Sequence, residues 1–288
     1  MSWSTSSFEP SISIPLVIVT ATYLHGFLML RRAGARRALR PRHALLFVAG
    51  SITLAAALLG PLDTVSEQLF SAHMIQHELL MTVAAPLMVL GKPGLAFVWA
   101  VRGKARRALA TAIRRPAVRG AWRVVTRPFD AWLIHGVVIW VWHLPSLFDL
   151  ALRNDGVHAL QHLSFLGSAL LFWWTVLYPR RRAERGVAVI ALFTTAVHTG
   201  ALGALIALSR TPWYSGYAST TLVWGITPLS DQQLAGLIMW IPASLAYLAG
   251  ALFIVRRWLS DSDRGLATAN QRRPFEAPPV SALIEESS

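Results

Sequence analysis

The sequence predicts an all-α, polytopic membrane helix bundle with seven transmembrane helices, the N-terminus outside and the C-terminus cytoplasmic. Three observations predict it. The 288 residues are 54% hydrophobic and only 14% charged, well below the ~25% charged content of soluble domains. The apolar residues gather into stretches close to the ~20 residues that a bilayer crossing needs. The basic residues fall into every second connection, the positive-inside pattern, which a soluble helical bundle has no reason to show.

In chain order the spans read 12–30, 44–59, 70–90, 131–150, 157–177, 187–208 and 234–255, the second being the shortest. Residues 1–10 contain no basic residue, so the charged start of a cleavable signal is missing and the first span is expected to be retained. Residues 31–42 carry six Arg and no acid, 102–127 carry nine basic residues and no acid, and 180–185 carry four Arg and one Glu. These connections are expected in the cytoplasm. The connections 61–72, 149–156 and 209–231 are acidic or nearly neutral and are expected outside. The formal charge of +13 is thereby explained without a nucleic-acid partner. Residues 1–259 form the membrane domain. Segment 102–127 reads as a basic helix on the inner leaflet, broken at Pro116 and held by anionic lipid. Residues 260–288, with Pro274, Pro278 and Pro279, read as an irregular cytoplasmic tail. The aromatics Trp213, Tyr214, Tyr217 and Trp224 of the outer connection read as an interfacial belt, with a lid over an outer site as the alternative.

Chemistry is carried by histidine. There is no cysteine, which excludes disulfides, iron–sulfur clusters and thiolate sites. His73 and His77 open span three, and His158 and His162 open span five. At i, i+4 spacing the two rings of each pair share a helix face, ~5–6 Å apart at Cβ. His143 lies near the outer end of span four, His198 lies half-way along span six, and Asp231 precedes span seven. Ionisable groups in a bilayer are costly and face the bundle interior. Six histidines in the outer half therefore point to a metal or haem site, while His25, His43 and His135 read as structural. Neutral imidazole suits zinc, copper, iron and nickel. Met74, Met81 and Met88, spaced every seven residues down span three, tilt the choice to copper, with packing as their ordinary role. Gln76 and Gln161 are placed to orient an imidazole or to bond between helices. Glu78 and Asp231 are the nearest acids. Pro86, Gly91 and Pro93 interrupt span three, and Pro145 and Pro242 are expected to kink theirs.

Five ordered motifs, His73-Met-Ile-Gln-His77, Ala85-Pro-Leu-Met-Val-Leu-Gly-Lys-Pro93, Trp142-His-Leu-Pro145, His158-Ala-Leu-Gln-His162 and Asp231-Gln-Gln-Leu-Ala-Gly-Leu-Ile-Met-Trp-Ile-Pro242, resemble the multispanning, caa-type CtaG family of bacterial cytochrome c oxidase assembly factors. That family is distinct from the single-span copper chaperone of the same name. The resemblance runs from about Leu59 to Val255. It implies a multi-pass protein of the bacterial plasma membrane that helps produce active haem–copper oxidase through copper delivery or centre formation. Its partners would be oxidase subunits and a copper chaperone or transporter, since some actinobacterial relatives carry a fused copper-transport-like domain. On this reading copper sits between His73/His77 and His158/His162, with His143 and Met74 completing the shell and His198 and Asp231 as further candidates. A b-type haem with two axial histidines and a cation transporter are the alternatives. A rhodopsin-like Schiff base is excluded, because the only lysines are Lys92 and Lys104. Catalysis is not expected, because no nucleophile has an adjacent base and orienting acid.

Overall fold

Proline sets the segmentation. Helices α1 (Pro10–Arg32), α2 (Pro41–Leu58), α3 (Pro61–Ser66), α6 (Pro93–Ala100), α8 (Pro116–Val125), α9 (Pro128–Trp142), α10 (Pro145–Arg153) and α13 (Pro228–Gln271) all begin on it. At a first helical position the missing N–H has no partner to lose and φ is already helical. The remaining helices are α4 (Phe70–Glu78), α5 (Ala85–Leu90), α7 (Gly103–Arg114), α11 (Asp155–Leu177) and α12 (Glu184–Ala207). The computed structural model describes residues 10–181 and 184–271, with the side chains of α13 described through Ser260. The start of the chain and residues 272–288 of the expected tail lie outside the described residues; α13 itself continues past Ser260 to Gln271.

Six helices are long and apolar enough to cross a membrane, and up to seven if the pair α8 and α9, bent by 63°, counts as one span. Large apolar side chains such as Val17, Leu45, Leu163 and Leu208 are more exposed than buried. A helix surface of this kind is stable against lipid rather than water. The architecture is that of a multi-pass membrane protein.

Span four departs from the sequence expectation of 131–150. The helix α9 stops at Trp142, Leu144 is extended at φ −64° and ψ 128°, and Pro145 opens the separate helix α10. Fifteen residues rise about 22 Å, short of a ~30 Å hydrocarbon core. Pro145 therefore ends a helix where a kink was expected. In span seven α13 runs unbroken through Pro242.

Span three holds the bundle together. Pro86 has no N–H for its turn, and the helix widens just before it: Leu79–Ala84 is a π-helical segment in which the Ala85 N–H reaches the Leu80 carbonyl. Such a turn absorbs a residue without leaving the hydrogen-bond ladder. The chain then breaks at Lys92, in the left-handed region at φ 54° and ψ 53°, and α6 continues beside α1. There Gly26 permits contact that a side chain would block, since a Cβ would lie 1.9 Å from the Ala96 carbonyl oxygen. Tyr23 stacks on Phe47 at 3.8 Å and donates to the Gly91 carbonyl at 2.7 Å, fixing α1 and α2 against the break. One apolar core joins α1, α2, α6 and one side of span three; a second joins the other side to α9–α13. Helices α7 and α8 bury no residue and meet at Arg115 and Pro116.

Candidate metal centre

Three segments converge at the end of the bundle opposite the arginine-rich connections. Helix α4 presents His73 and His77, α11 presents His158 and His162, and the break between α9 and α10 presents His143. The rings of His73 and His77 are 4.3 Å apart centroid to centroid, those of His158 and His162 are 4.2 Å apart, and across the two helices His73 lies 5.2 Å from His158 and His77 lies 5.2 Å from His162. His143 stands 6.3 Å from His77. One ring nitrogen each from His73, His158 and His162 lies within 4.8 Å of the other two. A three-coordinate ion with ~2.0 Å bonds holds its nitrogens about 3.5 Å apart, so small ring rotations close the set. Phe148, 5.1 Å from His73, and Phe165, 4.5 Å from His77, wall the cluster.

Hydrogen bonds fix which nitrogens face inward. The Tyr217 hydroxyl donates to the Ser66 carbonyl at 3.0 Å and lies 3.1 Å from His73 Nδ1. With its one proton committed, the phenol oxygen can only accept from His73, which places the ring proton on Nδ1 and a lone pair on Nε2. Burial, with Asp231, Asp149 and Glu67 in support, pushes the Tyr217 hydroxyl well above its ordinary pKa, so the proton stays. His143 is set the same way: Nδ1 lies 2.7 Å from the Ile139 carbonyl, an acceptor, and Nε2 keeps its lone pair. His73 Nε2, both nitrogens of His77, His143 Nε2 and His162 Nε2 are buried with no hydrogen-bond partner among the described residues. Buried polar groups in folded proteins are almost always partnered. A cluster of inward lone pairs left without donors fits a cation.

Asp231 is the main correction to the sequence reading. It is fully buried, and its carboxylate accepts from the Phe70 N–H at 2.6 Å, the Ser71 N–H at 3.1 Å and the Ser71 hydroxyl at 2.5 Å. It therefore caps the N-terminus of α4 from the first turn of α13, where a negative charge meets unpaired N–H groups and the positive end of the helix dipole. It positions the histidine helix and is not placed as a ligand. His198 is also elsewhere. Its Nδ1 accepts from the Trp140 indole at 3.4 Å, and its ring sits by Trp132 and Gly136 in an apolar hollow of about 350 Å³. The ring meets the middle of α9, beside Gly136, and not His143 past its end. Met74 lies one residue, about 100° of helix, past His73 and belongs to the apolar core with Phe70 and Met239. Gln76 reaches the Ala57 carbonyl at 2.8 Å and Asp63 at 2.7 Å, tying α4 to α2 and α3 instead of orienting an imidazole. Glu78 and Gln161 are buried near the cluster, each with unpartnered side-chain atoms. His135 is structural, between Ser168 at 3.0 Å and Tyr247 at 3.2 Å, and the His43 ring accepts from the Arg40 N–H.

The connection between α12 and α13 supplies what the motifs did not show. Tyr214 donates to the His143 carbonyl at 2.9 Å, Thr220 donates to the Gln68 carbonyl at 2.8 Å, and the Trp224 indole donates to the Gln68 side chain at 3.0 Å. Tyr214 and Tyr217 are almost wholly buried and pack on Phe70 and Phe148. Of the two readings of its aromatics, the geometry is that of a lid. The available signal was tyrosine, an amphipathic residue that seeks a partner for its hydroxyl when buried.

The chain is 25% identical over 279 residues to an uncharacterized protein of Mycobacterium bovis and to one of Mycobacterium tuberculosis, the match covering 92% of this chain and 41% of each relative. An uncharacterized protein of Mycobacterium leprae is 24% identical, with 89% and 40% covered. The chain thus spans about two fifths of the length of the curated relatives it matches. No solved structure matches it. A family model matches residues 21–261, taking in all five histidines of the cluster, the Asp231 cap and the tyrosine lid: the chain belongs to the cytochrome c oxidase caa3 assembly factor family, Caa3_CtaG.

Proposed function

We propose that this membrane assembly factor binds copper in its histidine cluster, at the outer face of the bacterial plasma membrane, and passes it to a cytochrome c oxidase subunit or to a copper chaperone that serves one. The observation that carries the reading is the set of inward, unpartnered imidazole lone pairs. The outer placement is supported by charge: the arginine-rich connections lie at the other end of the spans, and the positive-inside rule favours the cytoplasm for them and the outside for the N-terminus.

The donor set favours a monovalent ion. It holds no thiolate, and the carboxylate of Asp231 is fully engaged. The one acid beside the cluster that is not so engaged, Glu78, supplies at most a single negative charge, so a divalent ion among neutral imidazoles in a low-dielectric interior keeps uncompensated charge, and the desolvation penalty scales with charge squared. Cu(I) therefore meets roughly a quarter of the penalty of a divalent ion. Ring-to-ring packing leaves no room for a macrocycle between the facing pairs, which favours an ion over haem. A protein that holds and releases an ion needs no reacting group beyond these ligands, so the role is non-catalytic.

The test is metal content of the purified protein by mass spectrometry, with the visible spectrum of the same sample, for the wild type and for His77→Ala/His162→Ala. Near-stoichiometric copper, lost in a double variant that stays folded in the membrane fraction, is expected. A Soret band would replace this reading with a haem protein. Copper stoichiometry unchanged by the double substitution would remove the site.

A further inference from the structure

At the arginine-rich end of the bundle a cavity of about 160 Å³ lies where the end of α11, the start of α12 and the far part of α13 meet, lined by Leu177, Tyr178, Pro179, Arg185, Ile254 and Arg257. We propose that it is a binding site for a phosphate group, supplied by the head of an anionic phospholipid of the bilayer. It is independent of the copper reading and lies at the opposite end of the molecule.

Position is the first argument. The three helices that frame the cavity are candidate spans, Asp155–Leu177, Glu184–Ala207 and Pro228–Ser260, and the cavity sits where two of them terminate. That is the level of lipid phosphates, and basic pockets between membrane helices at this level are suited to anionic head groups. Charge is the second. Arg185 and Arg257 both line one small space, and an anion there would be attracted to both. Arginine is also the suitable cation, since its planar fork meets phosphate oxygens bidentately. The third argument is that the surrounding groups are held in place. Glu184 accepts from the Arg180 N–H at 2.6 Å and the Arg181 N–H at 3.2 Å, the Arg180 guanidinium donates to the Thr126 hydroxyl, and the Tyr178 hydroxyl donates to the Val89 carbonyl at 3.3 Å. The volume equals that of about five waters, space for one phosphate group, with the remainder of the lipid leaving past Leu177 and Ile254.

The experiment uses the full-length protein in neutral detergent. Native mass spectrometry with an equimolar mixture of phosphatidylglycerol and phosphatidylcholine should show phosphatidylglycerol retained preferentially by the wild type. Thermal unfolding, followed through intrinsic tryptophan fluorescence, should show a rise in Tm on adding phosphatidylglycerol, as binding to the folded state requires. Arg185→Gln/Arg257→Gln should weaken the apparent affinity at least tenfold, and the exposed pair Arg153→Gln/Arg210→Gln at the other end of the bundle should leave it unchanged. Equal weakening in both double variants, or equal retention of the two lipids by the wild type, overturns the proposal. A Tm rise with inorganic phosphate alone, with no added effect of phosphatidylglycerol, overturns the lipid source. If the first variant does not fold, Arg257→Lys, which keeps the charge and loses the fork, provides the comparison, and the wild-type lipid competition stands by itself.

Discussion

Replacing Tyr217 by phenylalanine removes one oxygen and tests the centre. The ring would keep its contacts with Phe70 and Phe148, 5.7 and 6.3 Å away. Two hydrogen bonds would go: the one donated to the Ser66 carbonyl and the one accepted from His73 Nδ1. Each leaves a buried polar group without a partner, at about 1–3 kcal/mol, so the metal-free protein should lose about 2–6 kcal/mol of stability. The lost acceptor also frees the His73 tautomer and ring orientation. Second-sphere losses of this kind lower metal affinity about 10–100-fold, or about 1.4–2.7 kcal/mol. Cu(I) affinity, measured by competition with a chromophoric chelator in detergent, reads the second effect; tryptophan-monitored thermal unfolding reads the first. A lowered Tm with copper affinity unchanged within twofold would show that Tyr217 merely holds the loop, and would refute the tautomer argument.

Asp231→Asn should lower stability by about 1.5–3 kcal/mol, because charge-assisted bonds to the α4 N-terminus become neutral ones, while copper stoichiometry is retained; thermal unfolding and metal analysis of one sample check both, and complete loss of copper from a folded variant would reinstate Asp231 as a ligand. His198→Ala should leave copper content and affinity unchanged in the same assays, since its ring faces Trp140 and Trp132. Gly236→Ala should destabilise the bundle by more than about 2 kcal/mol, typical of substitutions that force overpacking, because a Cβ there would lie 2.4 Å from the Ala207 backbone nitrogen and 2.6 Å from the Gly203 carbonyl oxygen; a Tm equal to the wild type would contradict the close crossing of α12 and α13.

Periodicity made the two histidine pairs of the candidate site legible, and azimuth decided where the sequence reading and the structure part. His73/His77 and His158/His162 were readable because i, i+4 spacing fixes both residues to one face whatever the helix packs against. His198 was read by depth alone, and nothing local says which side of α12 meets the other helices. Asp231 was visible as an acid near the histidines, but the N–H groups it accepts from lie 160 and 161 residues away, and a carboxylate that caps a foreign helix leaves no local signature. The stop at Trp142 was announced by Pro145, which a sliding hydropathy reading passes over because Leu144, Leu147 and Phe148 are as apolar as the helix before them. The π-helical turn follows from Pro86, although the sequence cannot say whether a helix will kink or widen.

On the copper reading proposed above, the lid and the ligands form one mechanical unit, which bears on how an ion could leave. Lifting the α12–α13 connection by any path that frees Tyr217 breaks its bond to His73, so opening loosens a ligand at the same moment that it exposes the cluster. The same movement pulls on Gln68, held by Thr220 and the Trp224 indole, two residues before the start of α4 and its Asp231 cap. Tyr214 carries the strain to the carbonyl of His143. Each bond contributes only about 0.5–1.5 kcal/mol net, so the lid is held by many small terms, and a partner that competes for several of them can open it. A closed structural site resists exchange because all its ligands are fixed independently. Here His73 and His143 are held partly by the lid, which on the copper reading would have to move for the ion to pass. The coupling predicts that copper release and lid opening share one rate: loop exposure followed by hydrogen exchange of residues 213–224 should speed up with the copper off-rate across Tyr217→Phe and Tyr214→Phe, and off-rates that rise while exchange stays constant would uncouple the two.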